Sequence, residues 1–259
     1  MGYTLITGAT GGLGKEFCRQ LVKTDDLVLT GRSEEKLLQL KEQLKGINEG
    51  AKIEIYPLDL TDFEKREKFF EFIDRKGIRF SGLINVAGVD TQKEFIKYTQ
   101  QKITFQVRVN AEATFSITHA VLQRREKDLK ILTVASMSGT VPMPYFALYS
   151  ATKASLINFF KSLRYEVKDA KITTLVAGAI PTREDIKKDI EIQGFTGKLS
   201  SKSPKFVVEK SLNALDKNRE KVIPGAFNKL VYFIEKITPK SLQCIYVAKK
   251  WKIKEKDNF

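Results

Sequence analysis

Short β-branched runs alternate with longer amphipathic stretches along most of this chain, and that alternation limits the possible folds more than any other feature. Strands buried on both faces read as continuous apolar runs, while helices crossing between them carry one apolar stripe. Residues 3–7, 27–30, 53–56, 80–86, 130–134 and 172–176 read as strands, with a short last one at 222–223. Leu13, Phe17 and Leu21 mark the first helix. Leu37, Leu40 and Leu44 mark a second, capped by Ser33, and Phe69, Phe70 and Ile73 a third, capped by Thr61. Long helices are expected over about residues 100–125 and 146–167, and another from Pro204 to Leu215. The succession predicts an α/β fold, a doubly wound parallel sheet with helices on both faces.

At 259 residues, with no internal repeat or linker, the expected organisation is a single domain spanning 1–259. From Thr182 to Ser203 the periodicity fades among glycines and serines, which reads as a substrate lid or mobile loop. Residues 226–259 read as a C-terminal helical extension, with Phe227, Leu230, Val231, Ile234 and Ile237 in a stripe ahead of Pro239. Nothing like a leader precedes the strand at Tyr3, and no run approaches the roughly eighteen apolar residues of a spanning helix, so a cytoplasmic location is expected. Cys18 and Cys244 form no motif, and with one histidine, His119, no metal site is expected. The formal charge of +14 is spread along the chain except for Lys249, Lys250, Lys252, Lys254 and Lys256. These read first as a frayed soluble tail and second as a weak membrane-surface contact; no nucleic-acid partner is expected.

Thr7-Gly8-Ala9-Thr10-Gly11-Gly12-Leu13-Gly14 sits between a strand and a helix, where a glycine turn can bind a dinucleotide. Gly8 permits the tight turn, Gly12 leaves room for a pyrophosphate, and Gly14 lets the helix pack on the sheet. The helix N-terminus then offers N–H groups and a positive dipole end to the phosphates. At the end of the second strand an acidic residue would hold the ribose of NAD, but here Gly31 takes that place, followed by Arg32 and Ser33. A guanidinium pairs well with a 2′-phosphate, so the expected cofactor is NADP(H).

Tyr149 and Lys153 lie four apart, so both project from one helix face, and Ser136 lies thirteen residues upstream. The same Tyr-x-x-x-Lys spacing recurs at Tyr98, Tyr232 and Tyr246, but only Tyr149 has a serine thirteen residues before it. A phenol with a pKa of about 10 is a slow proton shuttle near neutrality, and a nearby ammonium favours its ionised form. Lys153 is therefore expected to tune Tyr149 as a general acid, with Ser136 bonding a carbonyl oxygen as negative charge grows on it.

Taken together these motifs resemble those of the short-chain dehydrogenase/reductase family, in its single-domain, Rossmann-type form with a TGxxxGxG turn and a YxxxK motif. The resemblance runs from Tyr3 to about Thr182. It implies that Asn110 completes a catalytic tetrad with Ser136, Tyr149 and Lys153, holding a water of the proton relay. It also implies that Lys153 grips the nicotinamide ribose and that Asp59 and Leu60 lie at the adenine. Asn85, Ala87 and Gly88 match the family's Asn-Asn-Ala-Gly, with Val86 in place of the second Asn, and Ala177-Gly178 replaces its Pro-Gly. Ile180 and Thr182 match positions that approach the nicotinamide carboxamide or diphosphate, and the family implies a homodimer or homotetramer.

Met137, Val141, Met143 and Phe146 are candidates for an apolar wall, and Ile186, Ile190, Ile192 and Phe195 for the closing face of the lid. The expected substrate is a small-molecule carbonyl compound, apolar or acyl-type, reduced to an alcohol. Two other readings stand beside this one: a non-catalytic NADPH-binding sensor, and a protein held at membranes by its basic C-terminus.

Overall fold

The computed structural model describes residues 2–192, 194–251 and 256–257. Its elements run β1 (Tyr3–Thr7), α1 (Gly12–Leu21), β2 (Asp26–Gly31), α2 (Glu34–Lys45), β3 (Ile53–Pro57), α3 (Phe63–Arg75), β4 (Phe80–Asn85) and β5 (Thr91–Gln92). They continue with α4 (Gln100–Val107), α5 (Ala113–Gln123), β6 (Arg125–Ser136), α6 (Ala147–Glu166), β7 (Lys171–Ala177), α7 (Glu184–Ile192), α8 (Gly194–Ser200) and α9 (Pro204–Asp216). The last are β8 (Lys221–Val222), α10 (Ala226–Ile237), α11 (Lys240–Trp251) and β9 (Lys256–Asp257).

Seven strands form one parallel sheet in the order β3-β2-β1-β4-β6-β7-β8. Neighbouring residues on a strand point to opposite faces, so each strand feeds both layers of core. Ile6, Leu29, Leu132 and Leu175 join Phe17, Leu40 and Val208 on one face. Leu5, Val28, Ile131 and Ile172 join Phe69, Ile117 and Phe160 on the other. The chain winds outward from β1 to β3 and then returns to set β4 beside β1, opening a crevice at the carboxyl ends of those two strands.

Several boundaries differ from the sequence reading, each for a local reason. The α3 cap is Asp62, which accepts from the Lys65 N–H, while Thr61 donates its hydroxyl to Asp59. The long helix expected over 100–125 is broken by a π-helical turn at Arg108–Glu112, which separates α4 from α5. Residues 182–203, expected to be loop-like, instead fold largely as α7 and α8, with positive-φ Gly194 opening the second.

The basic C-terminus is not a frayed tail as far as Trp251. It is helical, and Val247 is buried against Val141, Met143 and Phe146. Lys252, Ile253 and Lys254 lie outside the described residues, and beyond them β9 pairs antiparallel with β5. Among the described residues no helix is long and apolar enough to cross a membrane.

Candidate active site

The glycine turn joins β1 to α1 beneath the crevice. Gly8 adopts φ +65°, and a Cβ there would lie 2.9 Å from the Ala87 Cα, so the turn and the end of β4 touch backbone to backbone. At Gly14 a Cβ would stand 2.2 Å from the Gly8 carbonyl oxygen, which leaves glycine as the residue that lets α1 start this close to the strand. The Thr7 hydroxyl accepts from the N–H groups of Val86 (3.1 Å) and Ala87 (3.3 Å) and so braces the two strand ends against each other.

Above the turn lies a cleft of about 360 Å³, within the range of small-molecule sites. It is lined by Gly8, Thr10, Gly11, Gly12, Leu13, Gly14, Arg32, Asp59, Leu60, Ala87, Gly88 and Thr182, all picked from sequence. Its remaining walls are Gly31, Leu58, Val86, Val89, Phe105, Val109 and Arg183. Phe105 on α4 and Val109 within the π-helical turn lie four apart, a spacing that could have found them. Arg183 has no such signal. Its value comes from a contact between distant segments, since it pairs with Asp90 at 2.9 Å across the cleft mouth and with Asp185 at 3.0 Å.

This cleft fits a dinucleotide by its own construction. The α1 N-terminus opens on it with no side-chain cap and no acidic residue in the first turn, leaving first-turn N–H groups for an anion. A Cβ at Gly31 would approach the Thr10 hydroxyl to 3.2 Å, so a carboxylate at that position would crowd the turn. Exposed Arg32 is the cationic group next to Gly31 in the cleft lining.

Other expected residues lie elsewhere. Ser33 caps α2, accepting from the Lys36 N–H at 3.3 Å, and does not line the cleft. Asn85 is buried inside the sheet layer, donating to Thr118 and Thr133 at 3.2 Å each, and acts as a cross-link between β4, α5 and β6. Ile180 packs its side chain against the core face of the sheet, and its carbonyl oxygen accepts from the Thr182 N–H at 2.7 Å. At Gly12 a Cβ would meet the Thr182 Cβ at 2.7 Å, so the space over this glycine is shared with the segment after β7.

The four residues of the expected tetrad converge beyond the cleft. Ser136 ends β6 and starts a 3-10 turn, Met137–Gly139, accepting from the Ser138 N–H at 3.1 Å. That turn packs so closely on α6 that a Cβ at Gly139 would stand 2.7 Å from the Lys153 backbone. This approach places Ser136 beside the Tyr149 hydroxyl, close enough to favour its ionised form. Lys153, one helical turn on, donates to the Val134 carbonyl at 2.9 Å, and its ammonium lies 5.7 Å from the centre of the Tyr149 ring. A Cβ at Gly88 would lie 3.2 Å from the Lys153 Nζ and 3.4 Å from the Asn110 Oδ1, which places the end of the cleft against both.

Asn110 sits on the π-helical turn, a distortion common at functional sites, with no surface exposed. Its Oδ1 accepts from the Val89 N–H at 2.8 Å, and its Nδ2 donates to the Val89 carbonyl at 2.8 Å and to Thr152 at 3.1 Å. Both amide hydrogens are therefore spent on protein partners. The side chain clamps the loop after β4 to α6, leaving only one lone pair of Oδ1 for any water.

The electrostatics differ from the simple picture of a lysine lowering a phenol. Burial pushes the Tyr149 hydroxyl up from its ordinary value, and the Asp90 carboxylate adds to this. Ser136 and Arg183 oppose both. Burial pulls the Lys153 ammonium down to about 8, partly offset by Asp90. Among protein groups alone, then, Tyr149 stays protonated at neutral pH, and of the two side chains Lys153 titrates nearer to neutrality.

Of the four residues expected in an apolar wall, Val141, Met143 and Phe146 form a buried cluster beside Tyr149, and Met137 is not part of it. Phe146 stacks on Tyr149 at 4.5 Å, and Trp251 stacks on Phe146 at 6.0 Å with the rings within 9° of parallel. The lid residues divide: Ile190 is buried, while Ile192 and Phe195 face solvent, so the apolar closing face expected of all four is not formed.

Comparison with known proteins agrees with this geometry. The short chain dehydrogenase family model matches residues 3–192. An 11-beta-hydroxysteroid dehydrogenase-like protein of Arabidopsis thaliana is 33% identical over 182 residues, covering 69% of this chain and 59% of its own length. A very-long-chain 3-oxoacyl-CoA reductase of Neurospora crassa is 35% identical over 175 residues, covering 64% and 52%. The chain thus matches only about half to three-fifths of the length of these two relatives. Among solved structures, one from a study of 7beta-hydroxysteroid dehydrogenase stereoselectivity superposes with a TM-score of 0.85 over 95% of this chain and 96% of the other, at 21% identity. It shares the fold.

Proposed function

Because this chain belongs to the short chain dehydrogenase family, we propose that it is an NADP(H)-dependent oxidoreductase that reduces an apolar ketone or acyl-type carbonyl to the alcohol. The observation that carries the reading is the convergence of Ser136, Tyr149 and Lys153, with the Lys153 ammonium 5.7 Å from the Tyr149 ring centre, at the end of a cleft that opens on an uncapped helix N-terminus.

When bound, the nicotinamide cofactor supplies the hydride. Gly12, Leu13 and Gly14 would hold its phosphates through backbone N–H groups, and Arg32 would hold the 2′-phosphate. Tyr149, kept protonated by burial, donates its proton to the substrate oxygen as charge develops there. Ser136 steadies that oxygen with a hydrogen bond. Lys153 places a positive charge beneath the phenol as it gives up the proton, and its pKa of about 8 keeps it cationic at neutrality. Asn110 keeps Val89, and with it the loop bearing Asp90, in place beside the pair. Phe146, Met143 and Val141 exclude water from the reacting carbonyl.

An apolar substrate is supported by this wall and by relatives whose names refer to hydroxysteroids and very-long-chain 3-oxoacyl thioesters. Assembly as a homodimer or homotetramer belongs to the same proposal. The test is NADPH and NADH oxidation over a panel of bulky ketones and 3-oxoacyl thioesters, with the wild type and Arg32→Ala. Turnover with NADPH, and a loss of at least about tenfold in NADPH affinity with little change for NADH, supports the reading. Absence of turnover across the panel, or equal losses for both cofactors, refutes it.

A further inference from the structure

The α10–α11 hairpin is apolar on the wrong side for a helix pair that only packs on its own domain. The inner faces bury Asn228, Gln243 and Val247 and half-bury Glu235. The outer face of α10 carries Leu230, Phe233, Ile234 and Ile237, spaced as one helical stripe, with Phe233 60% and Ile237 69% exposed. On α11 the outer stripe is Leu242, Ile245 and Tyr246, the last two each 66% exposed.

The hairpin holds a defined shape, because Gln243 donates to the Glu235 and Thr238 carbonyls and Glu235 accepts from the Thr140 hydroxyl at 2.7 Å. Its charge is one-sided. Residues 226–251 carry Lys229, Lys236, Lys249 and Lys250, while Lys240 and the single acid Glu235 both turn inward to Thr140. Two of these lysines lie along aromatic rings, Lys236 over Tyr232 at 5.0 Å and Lys250 over Tyr246 at 5.9 Å, as side chains do at an interface where the stem is apolar and the head polar.

We propose that this hairpin docks flat on an anionic lipid bilayer, seating Leu230, Phe233, Ile234, Ile237, Ile245 and Tyr246 among the acyl chains and the lysines among phosphate headgroups. At twelve residues each, the helices are too short to span a membrane but suit its surface. Charge decides between occupants. A second copy would bring a second set of these lysines to the same face with no outward acid to offset either, whereas anionic headgroups neutralise them. The inner side of α11 meets the proposed active site through the Trp251–Phe146–Tyr149 stack. A bilayer beneath the hairpin would therefore lie next to the apolar wall where a lipid-soluble carbonyl would enter.

Docking is measured without turnover, so it stands or falls apart from the proposed reaction. The full chain is sedimented with vesicles of phosphatidylcholine alone and of phosphatidylcholine mixed with phosphatidylglycerol, at low and high salt. The expected result is binding to the mixed vesicles at least about tenfold tighter than to phosphatidylcholine, weakening with salt. Phe233→Ser with Ile237→Ser should reduce binding by at least about tenfold, with an unchanged circular dichroism spectrum. Lys229→Gln, Lys236→Gln, Lys249→Gln and Lys250→Gln together should abolish the salt dependence. Equal binding to both vesicle types, or full binding by the serine variant, overturns the proposal. So does an oligomer that the serine variant dissociates while the wild type ignores vesicles, since the face would then be an interface between copies.

Discussion

Replacing Asn110 by alanine separates two roles for this residue, a holder of water and a clamp on the loop after β4. The side chain has no exposed surface and makes three hydrogen bonds, two of them to the N–H and carbonyl of Val89. A net hydrogen bond contributes about 1 kcal/mol, and a stranded half-buried backbone group costs about 1–3 kcal/mol, so the variant should lose about 2–4 kcal/mol of stability. The second consequence is local. Val89 adjoins Asp90, whose pairing with Arg183 crosses the cleft mouth. Urea denaturation gives the global loss, and amide exchange at Val89 reports whether that group has come loose. Reduction kinetics should show both kcat and KM affected, because both the proton-donating pair and the cleft wall lose support. A loss below about 0.5 kcal/mol, too small for even one broken hydrogen bond, with Val89 exchange unchanged, would refute the clamp. A fall in kcat alone would return Asn110 to a water-holding role.

The pH profile follows from the same groups. Lys153, held near 8 by burial, loses its charge as pH rises through that value, so kcat/KM for reduction should be level below about 8 and fall about tenfold per unit above it. Asp90 raises the pKa of both Lys153 and Tyr149. Asp90→Asn should therefore move the alkaline limb to lower pH, and a limb that stays in place would show that neither group controls it. Trp251→Ala removes an aromatic stack worth about 0.5–1.5 kcal/mol. It should lower kcat/KM several-fold for a bulky ketone and leave a small ketone nearly unchanged; equal losses would mean that Trp251 supports folding only.

Residues that act through local sequence were legible before the structure, and those that act through distant contacts were not. The strand and helix cores and the Tyr149–Lys153 pair obey periods of two or 3.6, the glycine turn shows as a motif between strand and helix, and the parallel sheet follows from the alternation. Asp62 and Thr61 are both good capping residues side by side, and nothing local tells which will cap. The π-turn at Asn110 inserts its kink within a pattern that still reads as helix. Ser33 caps α2 as its place before that helix predicted, while Asn85, set where a cofactor could be expected, is claimed by Thr118 and Thr133. Arg183 with Asp90, Trp251 on Phe146 and the two-residue β5–β9 ladder each join segments far apart in sequence, and none left a periodic trace.

The central claim is that the Tyr149 hydroxyl, set beside Ser136 and the Lys153 side chain, delivers the proton. Single-turnover reduction by Tyr149→Phe, with NADPH affinity measured by fluorescence in the same preparation, tests it most directly. A rate lower by about 10²–10⁴ with affinity within about threefold of wild type is the predicted result. A rate equal to wild type on the same substrate would contradict it.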